Sequence, residues 1–94
     1  MNEVSMNDLK YFTNYKFIDI RDKKDYQQEH IPYSINIEME ELLINPDKYL
    51  NHHTTYIIYC EKGEASFKLC NILRKKYDVV SLKQGFKGYK LLKY

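Results

Sequence analysis

The sequence predicts an α/β domain built on a parallel sheet with helices on both faces. Four short apolar runs alternate with helix-spaced patterns along the 94 residues, which is the order that produces such sheets. The few glycines and prolines fall between those runs, where turns belong. No repeat, Pro-rich linker or low-complexity stretch interrupts the chain, so a single domain over residues 1–94 is expected.

The elements follow in order. Ser5 precedes a helical pattern, with Asp8 three residues on as an approximate capping box and Met6, Leu9 and Phe12 at helical spacing. Phe17-Ile18-Asp19-Ile20 reads as a strand. Asp22 caps a helix through Gln28, and His30-Ile31-Pro32 ends it, because Pro32 pushes Ile31 out of helical geometry. Ser34-Ile35-Asn36-Ile37 reads as a second strand. An acidic helix then runs from Glu38 to Ile44, with Leu42 and Leu43 turned inward, and Asn45-Pro46-Asp47 breaks it.

Tyr56-Ile57-Ile58-Tyr59 is the strongest strand signal: bulky, uncharged, and ended at Cys60 by a polar stretch containing Gly63. It reads as a central, buried strand. Ala65, Leu69, Ile72, Leu73 and Tyr77 recur at three- and four-residue intervals and mark one apolar helix face. Val79-Val80-Ser81-Leu82 is the next strand, and Gly85 opens a last helix through Phe86, Tyr89 and Leu92.

Composition narrows the functional class. Hydrophobic residues at 44% and charged residues at 30% exclude a disordered tail or a collagen-like chain. No apolar run approaches the roughly 20 residues that span a bilayer, and Met1-Asn2-Glu3-Val4-Ser5 does not resemble a secretory leader. A cytoplasmic location and no membrane partner are expected. Fifteen basic residues against thirteen acidic ones, a net charge of +2, are too balanced to announce nucleic-acid binding. Lys, Tyr, Ile and Asn supply 39 of the 94 residues, a bias that resembles AT-rich codon usage.

Cys60 and Cys70 are too few for a disulfide framework, so each needs its own explanation. Ligands of parallel α/β sheets bind at the carboxyl ends of the strands, and Cys60 sits there on the most buried strand. The segment Cys60-Glu61-Lys62-Gly63-Glu64-Ala65-Ser66 joins strand to helix, with a glycine where the backbone must turn tightly. Such a loop can aim several backbone N–H groups and a helix N-terminus at the sulfur, which favours an anionic sulfur species. The alternative is a buried cysteine that merely ends a strand.

Three stretches resemble signatures of the rhodanese-like sulfurtransferase family. Asp19-Ile20-Arg21, Tyr26 and His30-Ile31-Pro32-Tyr33-Ser34-Ile35-Asn36-Ile37 resemble its first signature, Ile57 to Gly63 its active-site strand and loop, and Val79 to Phe86 its closing signature. The resemblance implies about five parallel strands flanked by helices on both faces, and no cofactor. It also implies that Cys60 carries a persulfide, held by the backbone amides of Glu61, Lys62, Gly63, Glu64, Ala65 and Ser66. Donors would be a small sulfane-sulfur compound or a persulfidated protein; acceptors would be a thiol, cyanide or a protein.

The sequence also departs from the family. The loop commonly carries arginine at its sixth position, and here that is Ala65. Glu61 and Glu64 would repel an anionic donor, so weak activity with thiosulfate is expected. The usual glycine pair of the closing signature is Gln84-Gly85, and the usual tryptophan is Tyr89.

The remaining residues have plainer readings beside their functional ones. Asp19 and Arg21 read either as catalytic or as a strand-end pair that fixes loops, and His30 either as an acid or base or, as the family resemblance implies, as an organiser of its loop. Adjacent His52 and His53 lack a cysteine or carboxylate at ligand spacing, so no metal site is expected. Cys70 reads as core packing and less well as a resolving thiol for Cys60. Lys83, Lys87, Lys90 and Lys93 form a basic stripe that is either a solvated face or a dock for an acidic protein partner. The second reading gives the alternative to an enzyme, a catalytically silent binding module. A cysteine phosphatase is set aside: Ser66 stands where its arginine would be, and no arginine lies between Arg21 and Arg74.

Overall fold

The run around Ile57 and Ile58 is apolar on both of its faces, and the computed structural model, which describes residues 2–93, places it at the centre of a sheet. The strands are β1 (Glu3–Val4), β2 (Tyr15–Asp19), β3 (Ile35–Asn36), β4 (Thr55–Tyr59) and β5 (Val79–Leu82). They lie in the order β1-β5-β4-β2-β3, and every neighbouring pair is parallel. The helices are α1 (Lys23–Gln28), α2 (Met39–Ile44), α3 (Pro46–Tyr49), α4 (Glu64–Leu73) and α5 (Gly85–Lys93), with a 3-10 helix over Met6–Tyr11.

Alternation along the strands divides the core into two layers. Tyr56, Ile58 and Cys60 join Ile18, Ile20 and Val79 beneath Leu42, Leu50, Leu69, Cys70 and Leu73. Ile57 and Tyr59 face the other way, with Val80 and Leu82, against Val4, Leu9, Ile31 and Phe86. Both faces of β4 are therefore covered, which is why its sequence is a continuous apolar run.

Several expectations are corrected. β1 carries no sequence signal, since two residues cannot show a period; it is held by pairing Glu3 with Ser81 and Val4 with Leu82. The first helix is a 3-10 helix, although Asp8 does accept the Ser5 N–H at 3.0 Å. β2 starts earlier and ends at Asp19, and β3 is only two residues long. Pro46 ends α2 but also starts α3, because proline suits a first helical position.

Leu43 and Ile72, both expected to pack inward, are exposed. In α4 the buried face consists of Ser66, Leu69, Cys70 and Leu73, and Ile72 points away at 55% exposure. Leu92 is likewise exposed. The polar Ser66 takes a core position that its residue type did not advertise.

This packing sets a contrast for urea unfolding. Leu69→Ala is expected to cost about 3 kcal/mol, as a large-to-small change at a fully buried site. Ile72→Ala, on the same helix, should cost less than about 0.5 kcal/mol.

Candidate functional site

Cys60 follows β4 directly, and its loop returns the chain into α4. The Sγ atom is the acceptor for two backbone donors, the N–H of Gly63 at 3.1 Å and that of Ser66 at 3.3 Å. Ser66 is in the first turn of α4, so the partial positive end of that helix also faces the sulfur. The amides of Glu61, Lys62, Glu64 and Ala65, expected to share in the cradle, make no hydrogen bond to Sγ among the described residues. Their residues instead line an open hollow of about 270 Å³ above Cys60.

The loop is shaped by a segment distant in sequence. Phe86 N–H donates to the Cys60 carbonyl at 2.9 Å and Lys87 N–H to the Glu61 carbonyl at 3.0 Å. With those oxygens held by the start of α5, the later amides of the loop are left to turn inward. Gly63 adopts φ +100° and Gly85 φ +58°, a region that disfavours side chains. A Cβ on Gly85 would lie 2.4 Å from the Cys60 carbonyl oxygen, and one on Gly63 would lie 2.9 Å from the Gln84 nitrogen.

Arg21 braces the same loop from the other side. Its Nε and Nη2 donate to the buried Asp19 carboxylate, with Nη2 at 2.8 Å, and Nη2 also reaches the Glu29 carbonyl at 2.7 Å. Its Nη1 lies 3.2 Å from Glu61 Oε1, and its guanidinium sits 4.1 Å from the centre of the Phe86 ring. Burial opposes the charge, but hydrogen bonds and the charge of Asp19, with help from Glu61, hold the guanidinium above its ordinary value. Glu61 is therefore not unpaired as the sequence suggested, although the guanidinium that meets it is shared with Asp19. Glu64 is exposed and makes no ion pair among the described residues.

His30 has an architectural place. It stacks on Tyr26 at 3.8 Å and contacts the Tyr26 carbonyl through Nδ1 at 2.7 Å. In the adjoining turn the Tyr59 hydroxyl accepts the Ile31 N–H at 3.1 Å and meets Ser34 Oγ at 3.0 Å.

A family model described as "Rhodanese-like domain" matches residues 5–92. The chain belongs to the rhodanese-like domain family. A tRNA sulfurtransferase from Pyrobaculum aerophilum is 31% identical over 74 residues, covering 79% of this chain and 13% of that protein. Another from Thermoplasma acidophilum is 34% identical over 59 residues, covering 63% of this chain and 11% of that protein. The chain thus spans only a small part of the length of these relatives. A rhodanese-related protein from Thermoplasma volcanium superposes with a TM-score of 0.88 over 100% of this chain and 95% of that one, at 23% identity, so the fold is shared.

Within this rhodanese-like domain the other candidates are dispersed. Cys70 is buried in the core layer that also holds Cys60, and both thiols are free. Burial, with a smaller effect from Cys60, pushes the Cys70 thiol up to about 12. His52 stacks on Tyr77. Lys83 and Lys87 are exposed, whereas Lys90 is paired with Glu29 at 3.0 Å; the side chain of Lys93 lies outside the described residues. Among the described residues no helix is long and apolar enough to cross a membrane.

Three supporting residues, Ser81, Gly85 and Phe86, lie in the stretch that resembles the closing signature, but the sequence reading gives none of them a role at the cysteine loop. A glycine in the short turn between β5 and α5 is the available signal for Gly85.

Two outcomes follow. Gly85→Ala is expected to cost roughly 2 kcal/mol or more in unfolding free energy, and to slow Cys60 alkylation by displacing the loop. Folded protein treated with iodoacetamide at pH 8 should be labelled at Cys60 and not at Cys70, as read by peptide mass. The Cys70 contribution to stability has a definite sign. It is whole below the unfolded-state value of 9.0 and is lost as pH rises toward 12, because the unfolded thiol ionises first.

Proposed function

We propose that the domain is a sulfurtransferase that carries sulfane sulfur as a persulfide on Cys60. The observation that supports this best is the pair of N–H donors, from Gly63 and Ser66, converging on Sγ beneath an open hollow. Donors fixed before reaction stabilise a negative sulfur without reorganising. The Cys60 thiolate attacks the outer sulfur of a donor. A new S–S bond forms, and the donor's leaving group departs with the bonding electron pair. An acceptor nucleophile, either a thiol or cyanide, then takes that outer sulfur. The Cys60 S–S bond breaks and its electron pair returns to Sγ as thiolate.

A protein donor or acceptor would approach beside the same opening. A second hollow of about 420 Å³, lined by Glu61, Lys87, Lys90 and Leu91, shares Glu61 with the first. In this reading Lys83 and Lys87 receive an acidic partner that delivers or removes sulfur. A silent binding module would use the same lysines without needing a reactive thiol.

Loading with small sulfane-sulfur donors, followed by intact mass, distinguishes these. One added sulfur is expected on the wild-type chain and none on Cys60→Ser; failure to load from any donor would sink the enzymatic reading. Thiosulfate should be a poor donor, and the loop charges predict how it improves. Ala65→Arg should raise its kcat/KM about tenfold and Glu64→Gln about threefold. Glu61→Gln should change it less than about twofold, since that carboxylate is already turned toward Arg21.

A further inference from the structure

Ser81 is a hydroxyl in the middle of an otherwise apolar strand, and like Ser66 it is fully buried, at 0% exposure. A buried O–H has to find an acceptor. Among the described residues the Ser81 hydroxyl meets one polar partner, Ser66 Oγ at 2.7 Å. Its proton therefore goes to Ser66, which fixes the direction of that bond. The Ser66 hydroxyl donates to the Gly63 carbonyl at 3.3 Å and accepts from Cys60 Sγ at 3.4 Å, so the sulfur becomes a second acceptor within its reach once the thiol proton is gone.

We infer that Ser66 and Ser81 form a hydroxyl switch that supports the anionic state of Cys60, with Ser81 as a positioning residue acting through Ser66. In the thiol state the Cys60 S–H donates to Ser66 Oγ, and Ser66 donates to the Gly63 carbonyl. When the thiol proton leaves for solvent, the Ser66 O–H rotates onto the sulfur and adds a third donor to those of Gly63 and Ser66. Ser81 continues to donate to Ser66 Oγ in both states. That bond polarises the Ser66 hydroxyl toward giving its own proton.

The charged and titratable groups around Cys60 are Glu61, Lys62 and Glu64 of its loop, Asp19 at the end of β2 and Arg21 just after it, Lys87 of α5 and Cys70 of α4. Among the described residues, none of these side chains hydrogen-bonds to either serine hydroxyl. Removing a serine hydroxyl therefore alters the sulfur's donors and leaves the surrounding charges in place.

The inference rests on Cys60 as the reacting thiol, and its test avoids sulfur donors altogether. Iodoacetamide alkylation of Cys60, followed across pH by peptide mass, reads the thiolate fraction directly. Ser66→Ala, which keeps the backbone N–H, should move the alkylation midpoint up by about one pH unit. Ser81→Ala should move it up by about half a unit, and Ser81→Thr should restore it. Because Ser81 acts through Ser66, the double variant should match Ser66→Ala alone. It also leaves no stranded hydroxyl, so it reports the shift even where Ser66→Ala does not fold. Unshifted profiles overturn the proposal, as does a double variant whose shift is the sum of the two. A shifted profile in a protein that never loads sulfur keeps the switch and removes the sulfur-carrier reading, so the two fail separately.

Discussion

The site depends on two backbone hydrogen bonds that α5 makes to the cysteine loop. A six-residue turn between a strand and a helix can adopt many conformations, and in most of them its carbonyls, as well as its amides, would approach the sulfur. Phe86 and Lys87 take the Cys60 and Glu61 carbonyls at 2.9 and 3.0 Å, which decides the orientation of the first two peptide planes. Gly63 then completes the turn at positive φ. The closeness of this docking is what makes Gly85 necessary: with any other residue, a Cβ would occupy space that the Cys60 carbonyl already fills. A chemical property of residue 60 is thus set by residues 85 to 87, brought close because β4 and β5 are neighbours.

Arg21 supplies the complementary restraint. A guanidinium buried in a fold this small is costly unless every side of it is used. Here Asp19, the Glu29 carbonyl, Glu61 and the Phe86 ring surround it. One side chain therefore joins the end of β2, the end of α1, the cysteine loop and α5. The three stretches that resemble family signatures lie far apart in the chain, yet they meet at this cluster. Their co-occurrence was a better guide than any one of them because they are parts of a single packed object.

Strands were legible where burial on both sides leaves a continuous apolar run, as in β4 and β5. The position of Cys60 followed from the same pattern, since the run stops there. Where tertiary contacts override local pattern, the sequence was a poorer guide. Ile72 fits an apolar helical stripe, but the stripe turned toward the sheet contains Ser66 in place of a larger residue, and Ile72 falls outside it. β1 exists only because β5 offers a free edge. The pairing of Glu61 could not be read from its neighbours, because its partner lies 40 positions away. Ser81 gave no sign at all, since its meaning lies in a hydroxyl contributed by another element.

The two cysteines show most directly how environment decides chemistry. They share the same core layer and lie on either side of the α4 N-terminus, at the mouth of its loop and within its second turn. Cys70 lies in the apolar core layer, where among the described residues no donor meets its sulfur, so burial favours the neutral thiol. Cys60 is nearly as buried, at 8% exposure, but two backbone amides donate to its sulfur and the Ser66 hydroxyl oxygen lies 3.4 Å from it. Desolvation works against a charge in both places; only at Cys60 are there oriented dipoles to replace the water that was lost. Seclusion alone makes an inert thiol. Seclusion among donors, beside an open hollow, leaves a sulfur whose surroundings are polar where it matters.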